Sequence, residues 1–280
     1  MATIRQFYGP DRVPLSVEAD PGDVVLARHS QWTRMHAWLA ALPDDAWGGP
    51  TRCEGWDTTL LVRHLVSATQ FLGYTLHEAA HGTATTLLRG MDTRTTVASA
   101  AEVLGDLSPR AARDQLARMD ASVDAELEAL GDGGLDATAE APPGHVPAHL
   151  ALAHFLFDSW VHEYDLLVPR GEQPVVDPLE ARVVVGYLTG LASLASDGPA
   201  GPGTPVPLDL RLTDPDLRIG VEVRSGVTTV VPGTAVAWAA VIEGRTADVM
   251  DKLTGRSGGP VMGDPEGLAV VDRFALVLST

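Results

Sequence analysis

Apolar residues recur along the first half of the chain at steps of three and four. Val25, Leu26, Trp32, Met35 and Leu39, with His29 and His36 among them, mark one amphipathic helix over 22–42. Asp57 reads as the N-cap of a second helix, 58–81, on which Leu61, Leu65, Leu72 and Leu76 align. A third, rich in alanine and charge, covers 95–130. Ser108-Pro109 restarts it, and the glycine cluster at 131–134 ends it. PPGH at 142–145 leads into a fourth helix over 146–167. Four helices with short joins predict a bundle. One more helix is expected at 177–195, followed by SDGPAGPGTPVP, too rich in proline and glycine for regular structure. Beyond it the period shifts to two. LDLRLT, RIGVEVR, VTTVV and AVAWAAVIEG read as strands separated by DPD, SG and PG turns, with helices at 246–254 and 266–277 closing the chain. The expected class is a two-domain α+β protein. A helical bundle fills 1–170, a connecting helix and Pro/Gly linker 171–207, and a small α+β domain on an antiparallel sheet 208–280.

Charge narrows the partners. Of the 280 residues, 37 are Asp or Glu and 20 are Lys or Arg, a formal charge of −17 that repels phosphate backbones and anionic lipid. The expected partner is therefore a small molecule, with neither nucleic acid nor membrane. No apolar run is long enough to span a bilayer and no targeting segment is visible, so the expected location is cytoplasmic. The single cysteine, Cys53, excludes an intramolecular disulfide and a cysteine-based zinc finger. There is no phosphate-binding glycine loop, Gly-x-Ser-x-Gly elbow or HExxH.

Nine histidines carry the candidate chemistry. In LALAHFLFDSWVHEYDLL, His154, Asp158 and His162 share one helix face at successive steps of four, amid Leu, Phe, Trp and Val. Buried together, three ionisable groups require partners, a shared proton or a metal. Neighbours at i, i+4 are about 6 Å apart and can converge, whereas i, i+8 cannot, at about 12 Å. The converging pair is thus His154/Asp158 or Asp158/His162, and a further ligand must come from another helix. On the second helix His64 lies on the side of Leu60, Leu61 and Ala68. His77 and His81 fall about 140° and 100° away from it, beside Glu78 and just before Gly82, and read as an exposed helix end. Cys53 reads as a small buried hydrophobe, and Trp56 and Trp160 as packing. Tyr164 and Asp165 are placed to orient the ring of His162. Arg245 and Arg256 suit a carboxylate.

The stretch RCEGWDTTLLVRHL, a turn with Gly-Trp before a helix bearing an inward histidine, resembles the metal-binding domain of the mycothiol-dependent maleylpyruvate isomerase family, within the wider DinB-like group. DSWVHEYDLL matches the family's acidic residue, three intervening residues, histidine, and aromatic-Asp-Leu ending. LDLRLTDPDLRIGVEV through AAVIEGRTADVMDKLTGR is similar to the sterol-carrier-like domain that follows the bundle. The resemblance implies that His64, Asp158 and His162 are the metal ligands, with His154 and Asp165 around them. It implies Zn2+ as the divalent metal, mycothiol or another low-molecular-weight thiol as co-substrate, and an active-site arginine in the second domain, for which Arg256 of LTGR is the candidate. Asp158 stands where the founding enzyme carries glutamate, so an ion here sits closer to the fourth helix or is reached through water. The implied activity is thiol transfer to, or isomerisation of, a small organic substrate by a monomer or homodimer. The alternatives are a thiol-independent metallohydrolase or tailoring enzyme, and a non-catalytic metalloprotein that holds a small ligand.

Overall fold

The computed structural model describes residues 5–9, 12–91, 105, 107–196 and 204–278. The expected helical stretch at 95–104 and the middle of the Pro/Gly linker lie outside the described residues. The chain forms two compact units, one from residues 6–10 and 24–174, the other chiefly from 11–23 and from 175 onward.

The first unit is the four-helix assembly expected from the periodicity. Its helices are α1 (Pro21–Ala41), α2 (Thr58–Ala80), α3 (Pro109–Gly134) and α4 (Ala148–Leu167). Two helix starts are capped, the first by Asp57 as read and the second where Ser108-Pro109 was expected to restart the helix. The Asp57 side chain accepts from Leu60 N at 2.8 Å, and Ser108 Oγ accepts from Ala111 N, with Pro109 in the first turn. Gly131 breaks α3 with φ +59°, a conformation that glycine adopts at no steric cost, and the helix resumes to Gly134. Trp32, Met35 and Leu39 of α1, Leu61, Val62, Leu65 and Val66 of α2, Leu116 of α3 and Leu166 of α4 form one apolar core with Trp47.

Charged residues also enter this interior in ion pairs. Arg28, 2% exposed, bridges Asp120 and Asp124 of α3, and Glu163 of α4 accepts from Arg34 Nε at 2.6 Å and from Gln31 at 3.2 Å. An unpaired charge at such depth would cost several kcal/mol, so these pairs also fix how α1 lies on its neighbours.

Between α3 and α4 the chain makes a hairpin not anticipated from sequence, β2 (Thr138–Ala141) with β3 (Gly144–Pro147). Pro142-Pro143 is its turn rather than a lead into the helix. Gly144 has φ +112° and lies so close to Phe7 that a Cβ would overlap the Phe7 carbonyl oxygen, so only glycine fits. Glu140, fully buried, accepts from Tyr8 Oη, Thr85 Oγ1, Leu87 N and Leu88 N at 2.7–2.8 Å, tying two chain segments to the hairpin.

In the second unit the sheet is mixed, which corrects the antiparallel expectation. Its order is β1 (Leu15–Val17), β6 (Val227–Pro232), β5 (Leu217–Arg224), β4 (Leu208–Thr213), β7 (Ala240–Arg245) and β8 (Met262–Gly263). The β4–β5–β6 meander is antiparallel as read. However, the chain crosses from β6 to the far side of β4, so β7 runs parallel to β4, and β1 joins β6 in parallel. Only the second half of AVAWAAVIEG is strand. Helix α5 (Pro178–Leu194), expected as a connector, packs on β6, β5 and β1 as part of this unit. Gly190 permits that approach, since a Cβ there would meet Leu15 and Val230 at 2.6 and 2.8 Å. Helices α6 (Thr246–Leu253) and α7 (Pro265–Leu278) cover β7. Among the described residues no helix is long and apolar enough to cross a membrane.

Candidate metal centre

The turn before α2 and the last turns of α4 build the site. Thr51 Oγ1 donates to the Trp56 carbonyl at 2.8 Å, Trp56 N donates to the Cys53 carbonyl, and Gly55 takes φ +77° to close the loop. Arg52 N donates to the Asp165 carbonyl at 3.1 Å and so ties this turn to α4. The Asp57 cap then starts α2, which delivers His64 two turns later with 6% exposure.

His64, Asp158 and His162 converge. His64 Nε2 lies 3.2 Å from Asp158 Oδ2, and His162 Nε2 lies 3.6 Å from Asp158 Oδ1. The donor atoms of all three fall within 4.8 Å of one another, and the two rings meet edge to face at 4.9 Å between centroids. Ligands about 2.1 Å from a tetrahedral zinc stand about 3.4 Å apart, so two of the three separations already match such a shell. Two imidazoles and one carboxylate suit zinc chemically as well. Burial by itself would raise the pKa of Asp158, but His64, His162 and His154 around it win, and its carboxyl is held well below the usual carboxylate range. The site therefore presents a fixed negative charge between two imidazoles.

His154 is not among the converging donors. It is buried, with its ring edge-on to Phe155 and Phe157, and burial lowers its pKa to about 4 against the opposing pull of Asp158. Of the pairs His154/Asp158 and Asp158/His162, the second is the one whose donor atoms lie together with those of His64. Asp165, fully buried, accepts from His162 Nδ1 at 2.9 Å. Trp56 packs 5.5 Å from the His64 ring, and Trp160 stacks on Tyr164. His77 and His81 are exposed as expected, stacked on each other at 4.4 Å, with Glu126 of α3 3.2 Å from His77 Nδ1.

Arg256 belongs to the other unit. Its Nη1 donates to the Thr254 carbonyl at 2.8 Å, while Arg245 pairs with Asp214 at 3.1 Å. Sequence reasoning passed over Arg52, whose Nε donates to Asp165 Oδ1 at 2.9 Å, and treated Cys53 as a simple apolar filler. Its thiol instead donates to Asp165 Oδ2 at 3.2 Å. The only signal was the adjacency of Arg-Cys to the Gly-Trp turn, which has no periodicity to read.

A family model described as the mycothiol maleylpyruvate isomerase N-terminal domain matches residues 28–167, half of the chain. No curated protein matches the sequence. Among solved structures, the fold is similar to crystal structures of the mycothiol-dependent maleylpyruvate isomerase. A mutant form aligns with a TM-score of 0.62 at 16% identity, covering 89% of this chain and 95% of that one. Another structure of that enzyme aligns with a TM-score of 0.59 at 17% identity and the same coverage. At such identities the likeness speaks for the fold.

Proposed function

This chain belongs to the mycothiol maleylpyruvate isomerase N-terminal domain family, and on that premise we propose that it is a divalent-metal-dependent enzyme that activates a small thiol, mycothiol or a close analogue, for attack on a small organic substrate. The observation that carries the reading is the convergence of two buried histidines, His64 and His162, with the partly buried Asp158 from two helices. Three protein donors leave a fourth tetrahedral position open, the arrangement of catalytic rather than structural zinc. Zinc is the proposed ion.

A bound divalent cation supplies the positive charge that makes the deprotonated form of a thiol stable near neutral pH. The chain's own residues do the rest. The two histidines would offer nitrogen donors to such an ion, and the Asp158 carboxylate would offset part of its charge. Arg256 is proposed to pair with an anionic group of the substrate, for which a guanidinium fork is suited. Addition of the thiolate to an activated double bond, rotation about the resulting single bond and elimination of the thiolate give isomerisation. Displacement of a leaving group gives transfer.

The protein is expected to hold one zinc per chain, to bind mycothiol saturably only when loaded, and to isomerise maleylpyruvate only with the thiol present. Refusal of zinc at micromolar concentration overturns the metal reading. Zinc uptake without thiol binding or thiol-dependent turnover overturns the thiol reading.

A further inference from the structure

Behind His162 lies a second group of polar side chains that faces away from Asp158. Asp165 Oδ2 is 2.9 Å from His162 Nδ1 and 3.2 Å from Cys53 Sγ, and Asp165 Oδ1 takes the Nε–H of Arg52 at 2.9 Å. The Arg52 backbone N–H donates to the Asp165 carbonyl, so the turn is bonded to this residue through both main chain and side chain. Asp165 has no exposed surface and Arg52 is 14% exposed in its side chain. A buried carboxylate paired with a guanidinium is ionised and accepts hydrogen bonds without donating them.

Cys53, His162 and Asp165 also have ligand atoms close enough together to consider a cation. Arg52 decides against one, because its guanidinium already supplies the positive charge at Asp165 and a second cation would sit against it. The thiol and the imidazole N–H act here as donors.

We propose that Asp165, clamped by Arg52 and Cys53, is a positioning residue that sets the tautomer of His162. An acceptor-only carboxylate at 2.9 Å from Nδ1 requires the ring proton there, which leaves the Nε2 lone pair facing His64 and Asp158. Without Asp165 the neutral ring is free to carry its proton on Nε2, the form that cannot coordinate. Arg52 holds Asp165 at the correct depth on α4, and Cys53 fills the remaining approach with a weak donor rather than a nucleophile. The consequence for zinc affinity rests on the metal reading above. The tautomer does not.

The test uses the full-length chain with 15N-labelled histidine, free of metal, at about pH 8, where an ordinary imidazole is neutral. His162 is assigned by its loss in His162→Ala. Wild type is expected to show the proton on Nδ1 and a bare Nε2. In Asp165→Asn the amide can turn its N–H towards Nδ1, so the proton is expected to move to Nε2. Zinc affinity should then fall about 10- to 100-fold with unchanged circular dichroism. Cys53→Ser, which keeps a donor, should stay close to wild type. A proton on Nε2 in metal-free wild type overturns the assignment, even if Asp165→Asn fails to fold. So does an unchanged tautomer in a folded Asp165→Asn. Wild type that shows Nδ1–H but takes up no zinc leaves the tautomer assignment standing and removes the metal reading alone.

Discussion

Near the start of α2, His64 is 6% exposed and faces a carboxylate and an imidazole delivered by α4. At the other end of the same helix, His77 and His81 stand one turn apart in the open, with Glu126 of α3 beside His77. Read as spacing alone, the second group is the better metal motif, since it offers two histidines at i, i+4. It fails on geometry and setting. His81 Nδ1 is taken up by the His77 carbonyl at 2.8 Å, and His77 Nδ1 by Glu126. Water competes for whatever remains. The first group has its donors aimed at one point from two helices, where water is scarce and its attraction for a cation is little screened. Convergence from separate elements, more than ligand spacing within one, separates a centre from a surface.

Four measurements sharpen or break that contrast. Truncating either converging histidine, His64→Ala or His162→Ala, is expected to cost on the order of 10²–10³-fold in zinc affinity by competition titration, given what structural zinc contributes per ligand. An effect under tenfold would erase the distinction. Asp158→Asn keeps an oxygen donor but loses the charge, and about a 100-fold loss is expected, short of that for a missing histidine. At a hundred times its dissociation constant, zinc should stabilise wild type by about 2.7 kcal/mol. Thermal unfolding should show that shift in wild type and not in His64→Ala at the same concentration. Smallest of all is the paired change His77→Ala, His81→Ala. It should leave zinc affinity within about twofold, and stability within about 0.5 kcal/mol, as for exposed sites generally. If it instead releases the metal, the wrong end of α2 has been chosen.

What could be read from sequence followed from how local the signal was. Asp57, the Ser108-Pro109 start and the apolar steps of α2 and α4 act within a few residues, and each lies where expected. Asp165 was legible beside His162 because three positions along a helix share a face. Arg52, another of its partners, stands 113 positions away in a turn, and no pattern announces such a pair. The β2–β3 hairpin was missed because TAEA and GHVP are too short and too rich in small residues to show alternation. The parallel course of β7 came from a crossover that strand composition does not encode. Arg28 and Gln31, buried on α1, ran against the ordinary expectation that such residues face water. Their partners on α3 and α4 explain them only once the helices are assembled.

The pairing of β1 with β6 gives the order of synthesis a particular weight. Ser16 and Thr229 meet although they stand 213 positions apart in sequence, and residues 24–174 in that interval fold into the other unit. On the ribosome the first strand of the sheet therefore emerges before the entire helical unit, and waits through its synthesis before its partner exists. Contacts this distant in sequence make folding slow, and the loop they close is long. Until β1 docks on it, β6 is a bare edge, the kind of surface that recruits strands from other chains. A fragment beginning at residue 175 would keep that edge permanently, so the sheet draws on chain from both sides of the helical unit and cannot be excised from one side alone.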